Sequence, residues 1–266
     1  MTTAREGIVL AVPGTTCPEA AAAFANIESA VMARLPGLAR AWAYTSSGVR
    51  RKAAASGCHM DDPGEALARL RDDGVTRVAV LSLHLSDGME YSELKGVAES
   101  ARGTADGFER VALGVPLLTA PDCLRRVADA IRRETAAEGR GEAAIVWVAH
   151  GSRPAAATFR AASDILRAVD PRFFLGAVQC PPHADEVLQA CRAEGVASVW
   201  LLPAMVAAGY SAREDIAGDA PGSWKSTLER GGVACRPVIR GLGEFGGVVE
   251  AWADQAERLV AELRAP

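Results

Sequence analysis

Ile145-Val146-Trp147-Val148-Ala149-His150-Gly151-Ser152-Arg153 is the stretch on which the reading of the fold turns. Five apolar residues run without a break, end on a histidine and give way at once to Gly-Ser-Arg. A short apolar run closed by turn residues is the pattern of a strand buried on both faces, as in a parallel sheet. Near the N-terminus Ile8-Val9-Leu10-Ala11-Val12-Pro13-Gly14-Thr15-Thr16 repeats it position for position, with Pro13 where the later copy has His150. A second pair repeats at its own constant spacing: Glu65…Gly74-Val75…Val78…Leu81…Gly88 against Glu186…Gly195-Val196…Val199…Leu202…Gly209. Two matched pairs predict a duplicated scaffold. The ionisable strand-end residue, present in one copy only, predicts that the second half carries the chemistry.

Working outward, strands and helices alternate. Pro18 suits the first turn of a helix whose stripe is Phe24, Ile27, Val31 and Leu35, stopped by Pro36-Gly37. Strands are expected over 38–44 and 75–83, with a helix over 63–73 between them, and a further extended stretch over 109–118. A helix from Pro121 follows, with Leu124, Val127 and Ile131 on one face. In the second half the order recurs. A helix from Pro154 turns Phe159, Ala162 and Ile165 inward, then come strand 173–178, a helix with Val187, Leu188 and Cys191, and strand 199–202. A last helix from about Phe245 buries Val248, Val249, Trp252, Leu259 and Val260. Such alternation means βαβ units and hence parallel sheets with helices on both faces. The expected fold class is α/β, two duplicated lobes with a cleft between them. The expected division is 1–130 and 131–266, the last helix bracing the first lobe.

Composition narrows the function classes. Hydrophobic residues make up 49% of the 266 and charged residues 23%, enough to bury a substantial core. Net charge is −4 and the Lys and Arg residues are scattered, which excludes the basic stripe of a nucleic-acid binder. No apolar run reaches the roughly 18 residues of a membrane span. Met1-Thr2-Thr3-Ala4-Arg5-Glu6 leads straight into the first strand without the apolar core of a signal peptide, so the expected compartment is the cytoplasm. The six cysteines form no C-x-x-C pair and read as free thiols.

In parallel sheets ligand sites lie beyond the carboxyl ends of the strands. That rule gathers His150, then Gln179 and Cys180, then residues 205–211 in the second half. In the first it gathers Pro13-Gly14-Thr15, Tyr44-Thr45-Ser46, and His84 with Glu90. Two readings stay open for His84, a ligand or a hydrogen-bonded core residue. His183 reads as an exposed residue at a helix start and His59 as a loop residue beside Cys58.

Together these residues resemble the class II chelatases. More closely, the chain is similar to the anaerobic cobalt chelatases that insert Co²⁺ into sirohydrochlorin on the way to cobalamin. The resemblance runs nearly end to end through Ala43-Tyr44-Thr45-Ser46, Leu83-His84…Gly88-Met89-Glu90-Tyr91, Ala149-His150-Gly151-Ser152-Arg153, Leu202-Pro203-Ala204-Met205, Ala217-Gly218-Asp219 and Ser223-Trp224-Lys225. It implies three metal-binding positions at the mouth of the second lobe. His150 holds the first unchanged. The second is a glutamate in a Gly-Thr-Val-Glu-Gly pattern, where this chain has Gln179 within Gly176-Ala177-Val178-Gln179-Cys180. The third is a histidine in an Ala-Gly-Asp-His-Ala pattern, where this chain has Ser211 within Ala208-Gly209-Tyr210-Ser211-Ala212.

Metal insertion needs ligands that hold and release a borderline ion, and a base for two pyrrole protons. Imidazole and carboxylate serve both needs. A Gln amide and a Ser hydroxyl are neutral and ligate weakly.

The implied catalytic residues are His150, Glu90 and His84, and the implied tetrapyrrole contacts are Arg153, Tyr210, Thr45 and Ser46. Arg213, Lys225, Arg50, Arg51 and Lys52 are further candidates to meet the carboxylates of sirohydrochlorin. Cobalt is expected as substrate metal with no organic cofactor, sirohydrochlorin or a related tetrapyrrole as partner, and neither nucleic acid nor membrane. A homo-oligomer is allowed. The alternatives are a metal set rebuilt from His150, Cys180, Tyr210 or His183, and a non-catalytic relative that binds a tetrapyrrole or metal.

Overall fold

The computed structural model describes residues 5–103 and 107–265, so the leader stretch 1–4 read above lies outside the described residues. Strands β1 (Glu6–Val12) and β5 (Ala144–Ala149), the two matched apolar runs, are buried almost end to end. Each is central in a four-stranded parallel sheet. In the first sheet β1 lies between β2 (Ala39–Tyr44) and β3 (Arg77–Ser82), with β4 (Arg110–Leu113) outside β3, giving the order β2-β1-β3-β4. In the second, β5 lies between β6 (Phe173–Ala177) and β7 (Ser198–Pro203), with β8 (Ala234–Pro237) outside β7, giving β6-β5-β7-β8. The registers correspond: Val9 faces Ala41 and Val80, while Trp147 faces Leu175 and Leu202. The duplicated α/β architecture is therefore the observed one.

The helices cover both faces: α1 (Ala21–Arg34), α2 (Ser47–Ala55), α3 (Pro63–Asp72), α4 (Met89–Ser100) and α5 (Pro121–Ala137), then α6 (Ala156–Val169), α7 (Ala184–Ala193), α8 (Trp224–Arg230) and α9 (Gly246–Arg264). The repeated glutamates prove to be cap residues. The Glu65 N–H donates to the Asp62 carboxylate at 3.0 Å, and the Asp62 N–H donates back to Glu65 at 2.8 Å, a capping box that starts α3. At α7 the His183 N–H donates to Glu186 at 3.1 Å.

The structure shifts several sequence-based expectations. The extended stretch over 109–118 holds a strand only to Leu113, because Gly114 and Pro116 end the ladder and Leu117–Thr119 coil into a 3₁₀ turn. Phe24 leaves the buried stripe of α1 and tilts against Trp42, ring centroids 5.3 Å apart. In α6 it is Leu166 that is buried and Ile165 only half so. Helices α2, α4 and α8 and strand β8 lie where no element was read.

One apolar core runs through both halves. It joins Ile8, Leu10 and Leu81 of the first sheet to Trp147, Phe173 and Leu202 of the second through α1, α5, α6 and α9. Helix α9 buries nine side chains, Trp252, Leu259 and Leu263 among them, against α1, α5, β3 and β4. Each large side chain so removed from water contributes about 1.5–3 kcal/mol. Arg34 of α1 pairs with Glu250, Asp254 and Glu257 of α9, and Asp254 also pairs with Arg126 of α5.

Gly176 shows how closely the second lobe is packed under its sheet. A Cβ there would stand 2.1 Å from Cη2 of the buried Trp224. Gly176→Ala is expected to lower unfolding stability by about 1–3 kcal/mol, and adding Trp224→Phe to recover part of the loss; urea unfolding of both variants checks it.

Candidate functional site

With strand order 2-1-3-4 the crossover direction reverses between β1 and β3, and again between β5 and β7, which opens a crevice at the carboxyl edge of each sheet. His150 follows β5 directly at that edge and is exposed. Gly151, at φ +75°, turns the chain off the sheet; a Cβ there would meet Ala177 Cβ at 2.7 Å and Cys180 Sγ at 2.8 Å. Only glycine fits so near the neighbouring strand in that conformation.

The main chain brings the second position alongside. Val178 N–H donates to Ala149 C=O at 3.0 Å and Gln179 N–H to His150 C=O at 2.9 Å, leaving the Gln179 side chain exposed. The third position arrives from the loop after β7. His150 Nδ1 stands 3.4 Å from Ser211 Oγ. Ser211 is followed by one π-helical turn, Ala212–Ile216, and Asp215, four residues on, lies across that turn from it: the Ser211 hydroxyl donates to Asp215 Oδ2 at 2.5 Å. Sequence reading missed Asp215, whose signal is its four-residue spacing from Ser211. Asp215 also lines a 610 Å³ cavity with Glu214, His183, Asp185 and Arg230.

Glu90 comes from the other lobe, in the first turn of α4. Burial raises its carboxyl above the usual range, opposed by the nearby Ser46 hydroxyl and by the positive fields of His150 and Arg50. Arg50 Nη1 donates to the main-chain carbonyls of Tyr44 and Thr45 at 2.5 and 3.0 Å. The lobes touch where the Thr158 hydroxyl donates to Asp87 at 2.6 Å and Gly88 backs onto Ser152. Tyr210 and Met89 are 75% and 67% exposed, unusual for large apolar side chains, and each directly precedes a candidate residue, Ser211 or Glu90. The sequence did not single out Met89 as a candidate.

Other expected residues lie elsewhere. His84 is buried in lobe one, Nε2 2.9 Å from Thr45 Oγ1 and Nδ1 3.0 Å from Ser82 Oγ. Burial holds its pKa down to about 4, so the ring is neutral at neutral pH. Of the two readings open for His84, this geometry is that of the core residue. Thr45, also buried, turns its hydroxyl inward to that ring rather than outward. Cys180 is buried behind Gly151, its thiol pKa raised by burial. Arg153 is exposed, and Lys225 pairs with Asp219 at 2.6 Å.

Among the described residues one cluster of three places metal-binding atoms close together, His59, Asp61 and Glu65. Its acids are already engaged, Asp61 with Arg69 at 2.5 Å and Glu65 in the cap of α3.

Two like α/β lobes with a histidine and a carboxylate at the facing carboxyl edges define a metal-chelatase class of protein. A family model described as "Cobalt chelatase (CbiK)" matches residues 6–260, and the chain belongs to that family. It is 35% identical over 260 residues to "Sirohydrochlorin cobaltochelatase CbiKC" of Nitratidesulfovibrio vulgaris, covering 97% of this chain and 92% of that protein. It is 33% identical over 204 residues to "Sirohydrochlorin cobaltochelatase" of Salmonella typhimurium, covering 76% of each. The fold is similar to that of SirB from Bacillus subtilis, solved with Fe³⁺, at TM-score 0.65 and 15% identity over 97% of this chain and 96% of that one. Among the described residues no helix is long and apolar enough to cross a membrane.

His84 predicts an acid-side loss of stability. Its pKa is about 4 folded against 6.5 unfolded, so between those values the unfolded chain binds the extra proton and stability falls as pH falls. Relative to His84→Gln, wild type is expected to lose about 3 kcal/mol between pH 6.5 and pH 4. Paired urea titrations across that window check the sign.

Proposed function

We propose that this protein is a sirohydrochlorin cobaltochelatase, inserting Co²⁺ into sirohydrochlorin with release of two pyrrole protons, as a step of cobalamin biosynthesis in the cytoplasm. One observation carries the reading: the cobalt-chelatase family match runs over residues 6–260, with an exposed His150 after β5 of one lobe and a half-buried Glu90 at the start of α4 in the other. Imidazole and carboxylate are the two groups that can take the pyrrole protons in turn, and a carboxyl raised by burial takes one nearer neutral pH than an ordinary glutamate.

In this reading His150 is metal contact and proton acceptor, and Glu90, close to Ser46, is the second acceptor. Gln179 offers a neutral carbonyl where the family pattern has a carboxylate, so the site holds Co²⁺ loosely and the macrocycle captures it readily. Ser211 stands at the third family position with a neutral hydroxyl. His84 acts from behind, neutral, fixing Thr45 and the loop that presents Ser46. Tyr210 and Met89 offer apolar surface to the flat macrocycle, and Arg153 a cation to its carboxylates. The units are 1–130 and 131–266, α9 crossing back onto the first. The two neutral residues at metal positions favour a second reading, a relative that binds the tetrapyrrole without metallating it.

Purified protein, sirohydrochlorin and Co²⁺ are expected to show the absorption change of metallation faster than the mixture without protein. His150→Ala is expected to cut the catalysed rate at least about 100-fold, and Glu90→Gln to slow it with loss of its acid limb. Gln179→Glu is expected to tighten Co²⁺ binding in calorimetry. Tight sirohydrochlorin binding with no acceleration by Co²⁺, Fe²⁺ or Ni²⁺ selects the second reading.

A further inference from the structure

Ser211 has one proton and two neighbours. Its hydroxyl donates to Asp215 Oδ2 at 2.5 Å, and its oxygen lies 3.4 Å from His150 Nδ1. A carboxylate cannot donate, so the serine proton points to Asp215 and the serine oxygen can only accept from the imidazole. Nδ1 must then carry its hydrogen, which leaves the lone pair of neutral His150 on Nε2. Histidine free in water favours the opposite tautomer, with the hydrogen on Nε2, so the relay selects the rarer form.

We propose that Asp215 is a positioning residue for this reaction: acting through Ser211, it fixes the tautomer of His150 and aims its Nε2 lone pair away from Ser211, into the cleft. This rests on the chelatase reading for its purpose but not for its geometry. A lone pair on Nε2 is what a metal or a pyrrole N–H would meet; a hydrogen there would block both. Ser211 is thus a relay rather than a metal ligand. The hydroxyl that stands where the family pattern has a histidine ties the remaining imidazole to a carboxylate, an arrangement that orients ligating histidines in metal sites generally. Ser211 and Asp215 are four residues apart, neighbours across one helical turn, and that turn is held by Ala217 N–H donating to Ala212 C=O at 3.2 Å.

The test needs no substrate. Full-length protein labelled with ¹⁵N-histidine, at a pH where His150 is neutral, reports each ring's tautomer in long-range ¹H–¹⁵N spectra. His150→Gln assigns the signal among the four histidines. Wild type is expected to show His150 mainly as the Nδ1–H form. Ser211→Ala is expected to shift it to mainly Nε2–H. Asp215→Asn, which frees the hydroxyl to turn, is expected to lower the Nδ1–H share, and Ser211→Thr to keep it. In metallation assays Ser211→Ala and Asp215→Asn are expected to lower kcat roughly ten- to hundredfold with KM little changed, and Ser211→Thr to retain most activity.

A wild-type His150 mainly in the Nε2–H form, or an Asp215→Asn spectrum identical to wild type, overturns the proposal. If the tautomers behave as expected but no metal accelerates metallation, the relay stands and the chelatase reading falls. If metallation proceeds equally fast in Asp215→Asn and wild type, the relay plays no part in it.

Discussion

The central strands of both sheets are buried on both faces, and the rest of the molecule follows from that. Val9, Leu10 and Leu81 in one sheet and Val146, Trp147 and Leu201 in the other are at most 1% exposed, so no charged group can lie along their length without losing its hydration. Polar chemistry is driven to the strand ends, and in a parallel sheet every carboxyl end lies on one edge. The two histidines that follow central strands show both outcomes of this pressure. His150 turns out of the sheet at Gly151 and stays exposed. His84 turns inward, where it persists only as a neutral ring with both nitrogens in hydrogen-bonding contact with hydroxyls.

The same constraint made the fold readable. A strand without a solvent face must be apolar at every position, so residues 8–12 and 145–149 announce themselves, and their match exposes the duplication. The missed elements escape for the converse reason. Helix α2 buries one residue, Ala53, and α4 buries Leu94 and Ala98, so neither carries an apolar stripe. Helix α8 has only seven residues, and β8 is a half-exposed edge strand. In the site, the strand-end rule gathers His150 and Gln179 because main-chain pairing dictates their proximity, and Ser211 because it sits on the loop that follows β7. Asp215 is hidden from it, since it lies past the strand end, within a five-residue turn too short to carry an apolar stripe. Nor can sequence tell an outward Met89 from a core methionine.

Proton accounting sets what this donor set can do. Two pyrrole protons must leave for each metal inserted, and neither the Gln179 amide nor the Ser211 hydroxyl can accept one at neutral pH. In the reading proposed above that work falls to His150 and Glu90, and it splits between the lobes. The lobes' registry therefore matters as much as the ligands. A shift of one lobe against the other would part the acceptors without disturbing any strand.

Registry is what the continuous core secures. Trp252 of α9 is buried in the same cluster as Trp147 of the second sheet and Leu10 of the first, and α5 packs on both α6 and α9. Opening the lobes as rigid bodies would expose that shared apolar surface at about 25 cal/mol per Å², a cost that grows quickly with the angle. The facing edges are held besides by Asp87 with Thr158 and by Gly88 against Ser152. In the proposed reading the macrocycle enters between lobes whose spacing is fixed. In that reading the adjustment falls to exposed side chains, Met89 on one lobe and Tyr210 on the other. These can rotate without disturbing a core contact, while His150 and Glu90 stay where backbone and burial put them.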